Sequence, residues 1–322
     1  MRINLKHTII TGITAFFGFG MQTATAQDPE FTQFYANPLY LNPAMAGSNM
    51  CPRVNINYRN QWPNISGSFV TTSASYDQHV HGLNGGIGLL VTSDNAAQTL
   101  KTNRVSAMYA YKANLGRKFA LNFGAEATYF QKSLDWGKLT FGDQIDPRRG
   151  FVYQTNDQQP NTSSSGVDFS AGVMGYTDEF YFGFAAHHLT EPQEGIISGA
   201  VLPRKYTAHA GAKIPLESGY SKSKTFISPN ILYRQQGTFT QLNIGVYVNN
   251  NGLTYGVWYR NKDSFIATLG IETDVLKIGY SYDVTLSKLG IISGGAHEVS
   301  LSIMVPCKPP RKRYRTLSCP SF

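Results

Sequence analysis

The chain has 322 residues, a formal net charge of +8 and 15% charged residues, with 19 Tyr, 19 Phe and 31 Gly. This length suits one large all-β domain or two smaller ones, and the aromatic and glycine content favours a β-rich exported protein over a cytosolic enzyme. The mean hydropathy of −0.23 does not exclude a membrane protein, because the alternating strands of a membrane β-barrel average to a low value. Three cysteines, Cys51, Cys307 and Cys319, allow one internal disulfide in an oxidising compartment.

Residues 1–26 predict a secretory signal peptide. Arg2 and Lys6 precede an apolar run over residues 9–19, and the small-residue site at residues 24–26 follows it. The apolar run is shorter than the roughly 20 residues of a membrane-spanning helix. We therefore expect cleavage before Gln27, which lowers the net charge by two because the leader contains no acidic residue.

Residues 27–52, the N-terminal segment, combine aromatic side chains with helix and strand breakers. The aromatic residues are Phe31, Phe34, Tyr35 and Tyr40, and the prolines are Pro29, Pro38 and Pro43. Proline lacks an N–H group, so neither a long helix nor a continuous strand fits here. Asn42 and Pro43 resemble the N-cap and first position of one short helical turn that ends at Gly47. We expect the segment to pack against a preformed surface, and its candidate plug or partner-binding residues are Phe31, Phe34, Tyr35, Asn42 and Pro43.

From residue 53 onward, apolar and polar residues alternate with period two, which is the pattern of β-strands. About fourteen such segments occur, and most are about 10 residues long, as a tilted membrane strand requires. They begin near Arg53, Ser68, Asn84, Thr99, Arg117, Gly166, Phe180, Arg204, Lys224, Thr238, Leu253, Ser264, Val275 and Ala296. An even number of strands closes an antiparallel barrel with both ends on one side. The predicted fold is an all-β transmembrane antiparallel barrel over residues 53–305.

Short and long connections alternate between these strands, with residues 216–223 as the one longer exception on the short side. The short ones include HGLN, LGRK, TDE, NNNG and ETD, and the long ones cover residues 134–165, 188–203 and 287–295. Outer-membrane barrels keep short turns in the periplasm and longer loops outside. The export signal and the loop pattern therefore predict an outer-membrane barrel with a periplasmic N-terminal segment and a periplasmic tail at residues 306–322. The alternative is a secreted β-sandwich of two domains.

No catalytic, cofactor or metal motif stands out in the chain. G-x-S-x-G, H-E-x-x-H and paired-cysteine metal spacings do not occur. His187 and His188 are adjacent where a strand meets an outer loop, so their side chains point to opposite faces and we expect a solvated pair without a metal. Charged residues on the polar faces of the strands are expected to pair inside the barrel. They are Arg53, Arg59, Asp77, Glu126, Arg260, Lys277, Asp283 and Glu298.

The C-terminal tail is strongly basic. Its cationic residues are Lys308, Arg311, Lys312, Arg313 and Arg315. A periplasmic location excludes nucleic acid and leaves anionic lipid headgroups or an acidic protein surface as partners. Cys307 and Cys319 are the first candidate disulfide, and Cys51 with Cys307 is the alternative, because the first and last strands are neighbours in a closed barrel.

Several long motifs, in order, resemble the PorP/SprF family of type IX secretion outer-membrane proteins. They are QDPEFTQFYANPLYLNPAMAGS, CPRVNINYRNQWPNISGSFVTTSASYDQHV, YFQKSLDWGKLTFGDQIDPRRGF, SYDVTLSKLG with GGAHEVSL, and CKPPRKRYRTLSCPSF. The resemblance implies an integral outer-membrane barrel without catalytic residues or cofactors. It also implies a role in secretion or surface attachment of cargo proteins, gliding-motility adhesins among them, and contact with periplasmic and outer-membrane secretion components.

We therefore expect a non-enzymatic barrel whose outer loops face the cargo and whose tail faces the secretion machinery. The alternative is an outer-membrane transporter of a small apolar ligand in which residues 27–47 plug the lumen. The motif NPA near the N-terminus is similar to the fatty-acid transporter class and supports that alternative. A barrel hydrolase is a third, more distant option.

Overall fold

The computed structural model describes residues 27–116, 118–157, 161–196, 199–216, 225–286 and 293–307. Within these residues, fourteen long strands form one closed antiparallel barrel. Each strand pairs with its neighbours along the chain. The first strand also pairs with the last, Arg53 opposite Met304, and the eighth pairs with the ninth, Lys205 opposite Gln236. The predicted fold class is confirmed.

Every predicted strand start lies within three residues of the observed one. The barrel strands are β1 Arg53–Gln61, β2 Phe69–Val80, β3 Gly85–Ala96, β4 Leu100–Asn114, β5 Ala120–Leu134, β6 Ser163–Tyr176 and β7 Phe180–His187. The chain continues with β8 Lys205–Ala212, β9 Phe226–Gln236, β10 Phe239–Asn250, β11 Leu253–Arg260, β12 Ser264–Glu272, β13 Leu276–Thr285 and β14 Ala296–Met304. Two-residue strands at Ile145–Asp146 and Gly150–Phe151 form a small hairpin outside the barrel, and Ile214–Pro215 pairs with the start of β9.

Burial alternates along each strand because successive side chains point to opposite faces of the sheet. In β5, Asn122, Glu126 and Thr128 are buried on the luminal side, while Phe123 and Tyr129 are about half exposed on the outside. The same alternation around the ring produces an apolar outer belt and a polar lumen, which is the arrangement of an outer-membrane barrel.

The two ends of the barrel differ in their connections. At the turn end, where β1 begins and β14 ends, the connections are short except for residues 213–225. At the opposite end, the loop end, residues 135–162, 188–204 and 286–295 form long connections. Short 3₁₀ turns occur at His81–Leu83, Trp136–Lys138 and Gly142–Gln144. Across the described ranges, no helix has the length and apolar character needed to cross a membrane.

The N-terminal segment lies inside the barrel and is mostly irregular. It contains a 3₁₀ turn at Phe34–Ala36, a four-residue α-helix at Pro38–Leu41 and a second 3₁₀ turn at Pro43–Met45. Asn42 caps the last of these, since its side chain accepts a hydrogen bond from the N–H group of Ala44. The prolines therefore divide the segment into three short turns, each of which packs separately against the wall.

Candidate functional site in the barrel lumen

The N-terminal segment spans the lumen from the loop end to the turn end. At its beginning, the carboxylate of Asp28 contacts Lys205, the first residue of β8 at the loop end. Near its other end, the N–H group of Gly47 donates to Asp77, close to the turn end of β2. The candidate residues Phe31, Phe34, Asn42 and Pro43 are buried, and Tyr35 is half-buried. All five candidate residues thus lie within the lumen.

A charged cluster holds the first residues of the segment at the loop end. The Asp28 carboxylate lies 2.5 Å from Lys205 Nζ and 3.6 Å from Arg104 Nη2. His188 donates to Asp28 through Nε2 at 2.7 Å and to Asp168 through Nδ1 at 2.6 Å. Because both ring nitrogens donate, His188 is an imidazolium held between two carboxylates.

The pKa values of this cluster follow from burial and pairing. Burial raises the pKa of the Asp28 carboxyl, but the charges of His188 and Lys205 outweigh burial and hold that pKa well below 3.8. Burial lowers the pKa of His188, but the carboxylates of Asp28 and Asp168 outweigh burial and raise it from 6.5 to about 9. Asp28 and His188 are therefore both ionised near neutral pH.

This arrangement corrects one expectation from the sequence. His187 and His188 are both buried, with relative exposures of 6% and 7%, and are not a solvated pair. His187 Nδ1 lies 3.8 Å from Glu126, while His188 contacts the N-terminal segment. The burial arises because the segment fills the lumen next to both rings, which a local strand pattern does not reveal. No group of three or more metal-ligating side chains occurs in the part of the chain that the structure describes.

A second cluster binds the backbone of the segment. Arg59 contacts Asp283 at 3.0 Å and Glu298 at 3.3 Å, and all three side chains are more than nine-tenths buried. Glu298 accepts the N–H groups of Thr32 and Gln33 at 2.6 and 3.0 Å. The carboxylate of Glu298 thus satisfies two backbone donors of a segment that forms no ladder of its own.

Aromatic contacts fill the middle of the lumen. Phe34 packs edge-to-face on Trp258, with the ring centroids 5.3 Å apart, and the Arg234 guanidinium lies 4.8 Å from the centre of the Phe34 ring. Tyr35 packs edge-to-face on Tyr181 at 5.5 Å. Such pairs stabilise packing beyond the area that they bury. The aromatic residues of the segment therefore pack against side chains of β7, β9 and β11.

The second half of the segment lies against wall glycines. Asn42 donates to the backbone oxygens of Val173 and Phe184 at 3.2 and 3.3 Å. A Cβ atom on Gly124 would lie 2.2 Å from the Ala44 nitrogen, and one on Gly86 would lie 2.3 Å from the Ala46 oxygen. These distances are far below a van der Waals contact, so the segment reaches this depth only because the wall carries no side chain there.

At the turn end, a disulfide joins the end of the segment to the end of the barrel. The structure pairs Cys51 with Cys307, with the Cα atoms 5.5 Å apart. This replaces the first expected pairing, Cys307 with Cys319, and its physical reason is the contact of β1 with β14, which brings residues 51 and 307 together. Cys319 and the basic tail residues Lys308, Arg311, Lys312, Arg313 and Arg315 lie outside the described residues, as does the predicted signal peptide.

A cavity of about 780 Å³ opens above the segment at the loop end. Its lining includes the first four residues of the segment, residues 27–30, together with arginine and lysine side chains of the wall. Toward the turn end, a smaller cavity of about 80 Å³ lies beside Gln33, Tyr35 and Asn49. Sequence reasoning did not find the wall residues Lys205 and Arg234 that contact the segment, and it assigned His188 to a solvated pair. Each lies at the loop end of a strand with an ordinary alternating pattern.

Two solved outer-membrane structures are similar to this chain at low sequence identity. The toluene transporter TodX of Pseudomonas putida aligns with a TM-score of 0.46 and 13% identity, covering 87% of this chain and 94% of TodX. The outer membrane protein Omp33 of Acinetobacter baumannii aligns with a TM-score of 0.44 and 8% identity, covering 80% of this chain and all of Omp33. A comparison with curated proteins gives no significant match.

Family membership rests on a separate observation. Residues 23–303 match the model of the family described as type IX secretion system membrane protein PorP/SprF. The match covers the N-terminal segment and the whole barrel, and a closed barrel with an apolar outer belt suits an outer-membrane protein. The chain thus belongs to the PorP/SprF family of type IX secretion system outer-membrane proteins.

Proposed function

We propose that this chain is a non-enzymatic outer-membrane adaptor that assists the secretion or surface attachment of cargo proteins, gliding-motility adhesins among them. Membership of a secretion-system family supports this role. The observation that carries the proposal is the filling of the lumen by the N-terminal segment. Phe34 and Trp258 are each 1% exposed and in contact across the middle of the barrel. A polypeptide cannot pass this level while the segment is in place, so cargo would be bound at the faces of the barrel.

We infer that the segment acts as a plug. Its carboxylates are paired with cations of the wall at the loop end, and its backbone donates to Glu298 and Asp77 below. These contacts come from strands on several sides of the ring. The disulfide at Cys51 adds a covalent restraint at the turn end.

The two faces would have separate roles. Short turns are typical of the periplasmic end of outer-membrane barrels, so we assign the turn end to the periplasm and the loop end to the cell surface. On this assignment the long loops face cargo. The tail residues Lys308, Arg311, Lys312, Arg313 and Arg315 follow the turn end and would contact periplasmic secretion components or lipid headgroups.

The geometry around His188 supports a role without catalysis. Thr190 donates to Asp168 at 2.7 Å, which places a hydroxyl, a carboxylate and an imidazole close together. A general base needs a free ring nitrogen, yet both nitrogens of His188 donate to carboxylates. The group acts as an ion-paired anchor for the segment.

The alternative, transport of a small apolar ligand, requires an apolar route. The lining of the loop-end cavity is instead mixed, since Arg59, Arg104 and Lys205 lie in it beside apolar side chains such as Phe69 and Leu202. The tip of the segment forms part of its lining. These observations favour the adaptor over the transporter.

A deletion strain tests the proposed function. We expect loss of surface display or secretion of at least one protein that carries the type IX C-terminal signal, measured by immunoblot of intact cells and culture medium. A plasmid copy of the wild-type gene should restore it. Normal display and secretion of all such proteins, together with lost uptake of an apolar substrate, would contradict the adaptor and favour the transporter.

Truncation of the tail tests the periplasmic contact. A chain that ends at Cys307 keeps every described contact of the barrel, so we expect it to retain heat-modifiable migration on a gel. Affinity purification after crosslinking should recover fewer periplasmic secretion components with the truncated chain than with the full chain. Equal recovery from both chains would show that the tail does not make this contact.

A further inference from the structure

The cavity at the loop end has the size and the charge of a binding site. Its volume of about 780 Å³ lies within the range of roughly 300–1,000 Å³ that is typical of ligand pockets. Seven arginine and lysine side chains line it, against three carboxylates from the wall. Two further wall carboxylates, Asp283 and Glu298, lie below and pair with Arg59. His188 and Asp168 also lie beside the tip and pair with each other, so their charges cancel. These wall groups together thus have an excess of two positive charges.

The N-terminal segment neutralises this excess with two carboxylates. Asp28 contacts Lys205 and His188, and Glu30 lies 3.1 Å from Arg234. One proline separates the two acidic residues, which favours an extended backbone. An extended chain rises about 3.3 Å per residue, so the two carboxylates are about 7 Å apart along it. The wall therefore recognises two acidic side chains at alternate positions of an extended peptide.

Only the tip of the segment, residues 27–30, faces the cavity. Gln27 is exposed and Asp28, Pro29 and Glu30 are partly exposed, whereas Phe31 is 1% exposed and residues 32–34 are buried. The contacts of Thr32 and Gln33 with Glu298 hold the chain below this level. Departure of the tip would break the ion pairs of Asp28 and Glu30, the hydrogen bond from the Asp28 N–H to Gln236 and the hydrogen bond from Tyr40 to the Pro29 oxygen. It would leave the contacts of Thr32 and Gln33 with Glu298 in place.

The cavity also offers donors that the tip does not use. Arg59 Nε and Arg260 Nη2 are buried and have no hydrogen-bond acceptor among the described residues. Both arginines line the cavity and are more than nine-tenths buried. Lys262, on the rim, has no ion pair within the same part of the chain. A peptide with one more carboxylate than the tip would thus find a partner in the exposed Lys262, whereas Arg59 Nε and Arg260 Nη2 become accessible only if the side chains around them move.

We propose that the loop-end cavity is a binding site for an acidic peptide segment, which enters from the loop end and replaces the tip of the N-terminal segment. The tip is then the ligand that this chain supplies to its own site. The source of the external peptide rests on the proposed function, under which it belongs to an exported protein at the cell surface.

Peptide binding to the purified full-length protein in detergent tests the site. The probe is a fluorescein-labelled peptide, QDPEFTQ, which copies residues 27–33, and its neutral counterpart is QNPQFTQ. The double variant Asp28→Asn, Glu30→Gln removes the ion pairs between the tip and the wall. We expect this variant to bind QDPEFTQ at least about tenfold more tightly than the wild type, because loss of buried charge pairs favours exchange. QNPQFTQ should bind at least about tenfold more weakly than QDPEFTQ to the same variant.

The matched control is Asp157→Asn, Glu179→Gln, which makes the same charge change at exposed positions outside the cavity. It should bind QDPEFTQ as the wild type does. Heat-modifiable migration reports folding, and Glu30→Gln alone replaces the double variant if the latter does not fold. Equal affinity of variant and control, or equal binding of the two peptides, overturns the site. The deletion strain tests the adaptor function separately, so lost display without peptide binding refutes this site alone.

Discussion

Arg59 is the residue on which the second luminal cluster depends. Its side chain is 3% exposed and lies between Asp283 and Glu298. Arg59→Leu leaves the buried Glu298 without its ion-pair partner, while Asp283 keeps Arg260 at 3.3 Å. Removal of one partner from a buried ion pair costs about 3–5 kcal/mol. We expect the urea midpoint of unfolding, followed by tryptophan fluorescence, to fall accordingly.

An exposed ion pair provides the control for Arg59. Arg204 lies 3.5 Å from Glu191, and both side chains are nearly half exposed. Arg204→Leu should change stability by no more than about 1 kcal/mol, since solvent screens such pairs. Similar shifts for the two variants would show that Arg59 does not contribute through its buried carboxylate partners.

The ion pair between His188 and Asp28, which binds the beginning of the N-terminal segment to the wall, depends on pH. Because the folded pKa of His188 is raised from 6.5 to about 9, its contribution is complete below pH 6.5 and is lost as pH rises through about 9. Asp28 stays ionised throughout this range, since its pKa is well below 3.8. We expect the tip to become accessible to aminopeptidase between pH 8 and 10 (about one unit either side of 9). His188→Gln should abolish this step, and a step of equal size in that variant would contradict the assignment.

At the scale of the elements, the depth of the segment depends on small wall residues. Gly124→Ala places a Cβ atom 2.2 Å from the Ala44 nitrogen, which is backbone and cannot rotate away. Overpacking of this kind typically costs about 1–3 kcal/mol. We expect the folded band on a gel to convert to the unfolded band at a lower temperature than in the wild type. The pairing of β5 with β4 and β6 should remain.

Gly82 supplies the comparison for Gly124. It lies in the short turn between β2 and β3, and a Cβ atom there meets nothing within 4 Å. Gly82→Ala should change the free energy of unfolding by no more than about 0.5 kcal/mol, as is usual for surface substitutions. The transition temperature should therefore stay the same. Equal losses at Gly82 and Gly124 would point to a general effect of glycine replacement and not to the segment.

The disulfide joins two elements, the segment and β14. We expect tryptic digestion without reductant to yield a peptide pair that contains Cys51 and Cys307, identified by mass spectrometry. Cys51→Ser should abolish the pair, and Cys319→Ser should leave it intact. Recovery of a Cys307–Cys319 peptide from the wild type would contradict the pairing seen here.

The sequence predicts elements well and the contacts between them poorly. Alternation with period two locates each strand start within three residues, because inward and outward faces differ in polarity. The pairing of Cys51 with Cys307 could not be chosen from the sequence, because it depends on the contact of β1 with β14 in the closed barrel. The burial of His188 depends on Asp28, which is distant in sequence. Such contacts are set by ring closure around the segment, and no local pattern encodes them.

At the scale of the whole molecule, the first and last described residues lie at opposite ends of the barrel, because the N-terminal segment runs through the lumen. The expectation that the segment lies on the side where β1 begins and β14 ends therefore does not hold for Gln27. Gln27 lies at the loop end and Cys307 at the turn end. We expect an epitope tag before Gln27 and after the signal peptide to bind antibody on intact cells. The same tag placed after Phe322 should bind only after the outer membrane is opened. Antibody binding to the C-terminal tag on intact cells would reverse the assigned orientation.

The Cys51–Cys307 bond also has a topological consequence. Residues 51–307 and the disulfide form a covalent ring that passes once around the lumen, and the preceding residues run through that ring. The molecule is therefore a lasso, in which the chain is threaded through a loop that it closes itself. A folded domain fused ahead of Gln27 is wider than the lumen and acts as a stopper. The N-terminal segment can then leave the lumen only after the disulfide is reduced and β1 separates from β14. It cannot leave by moving lengthwise through the barrel.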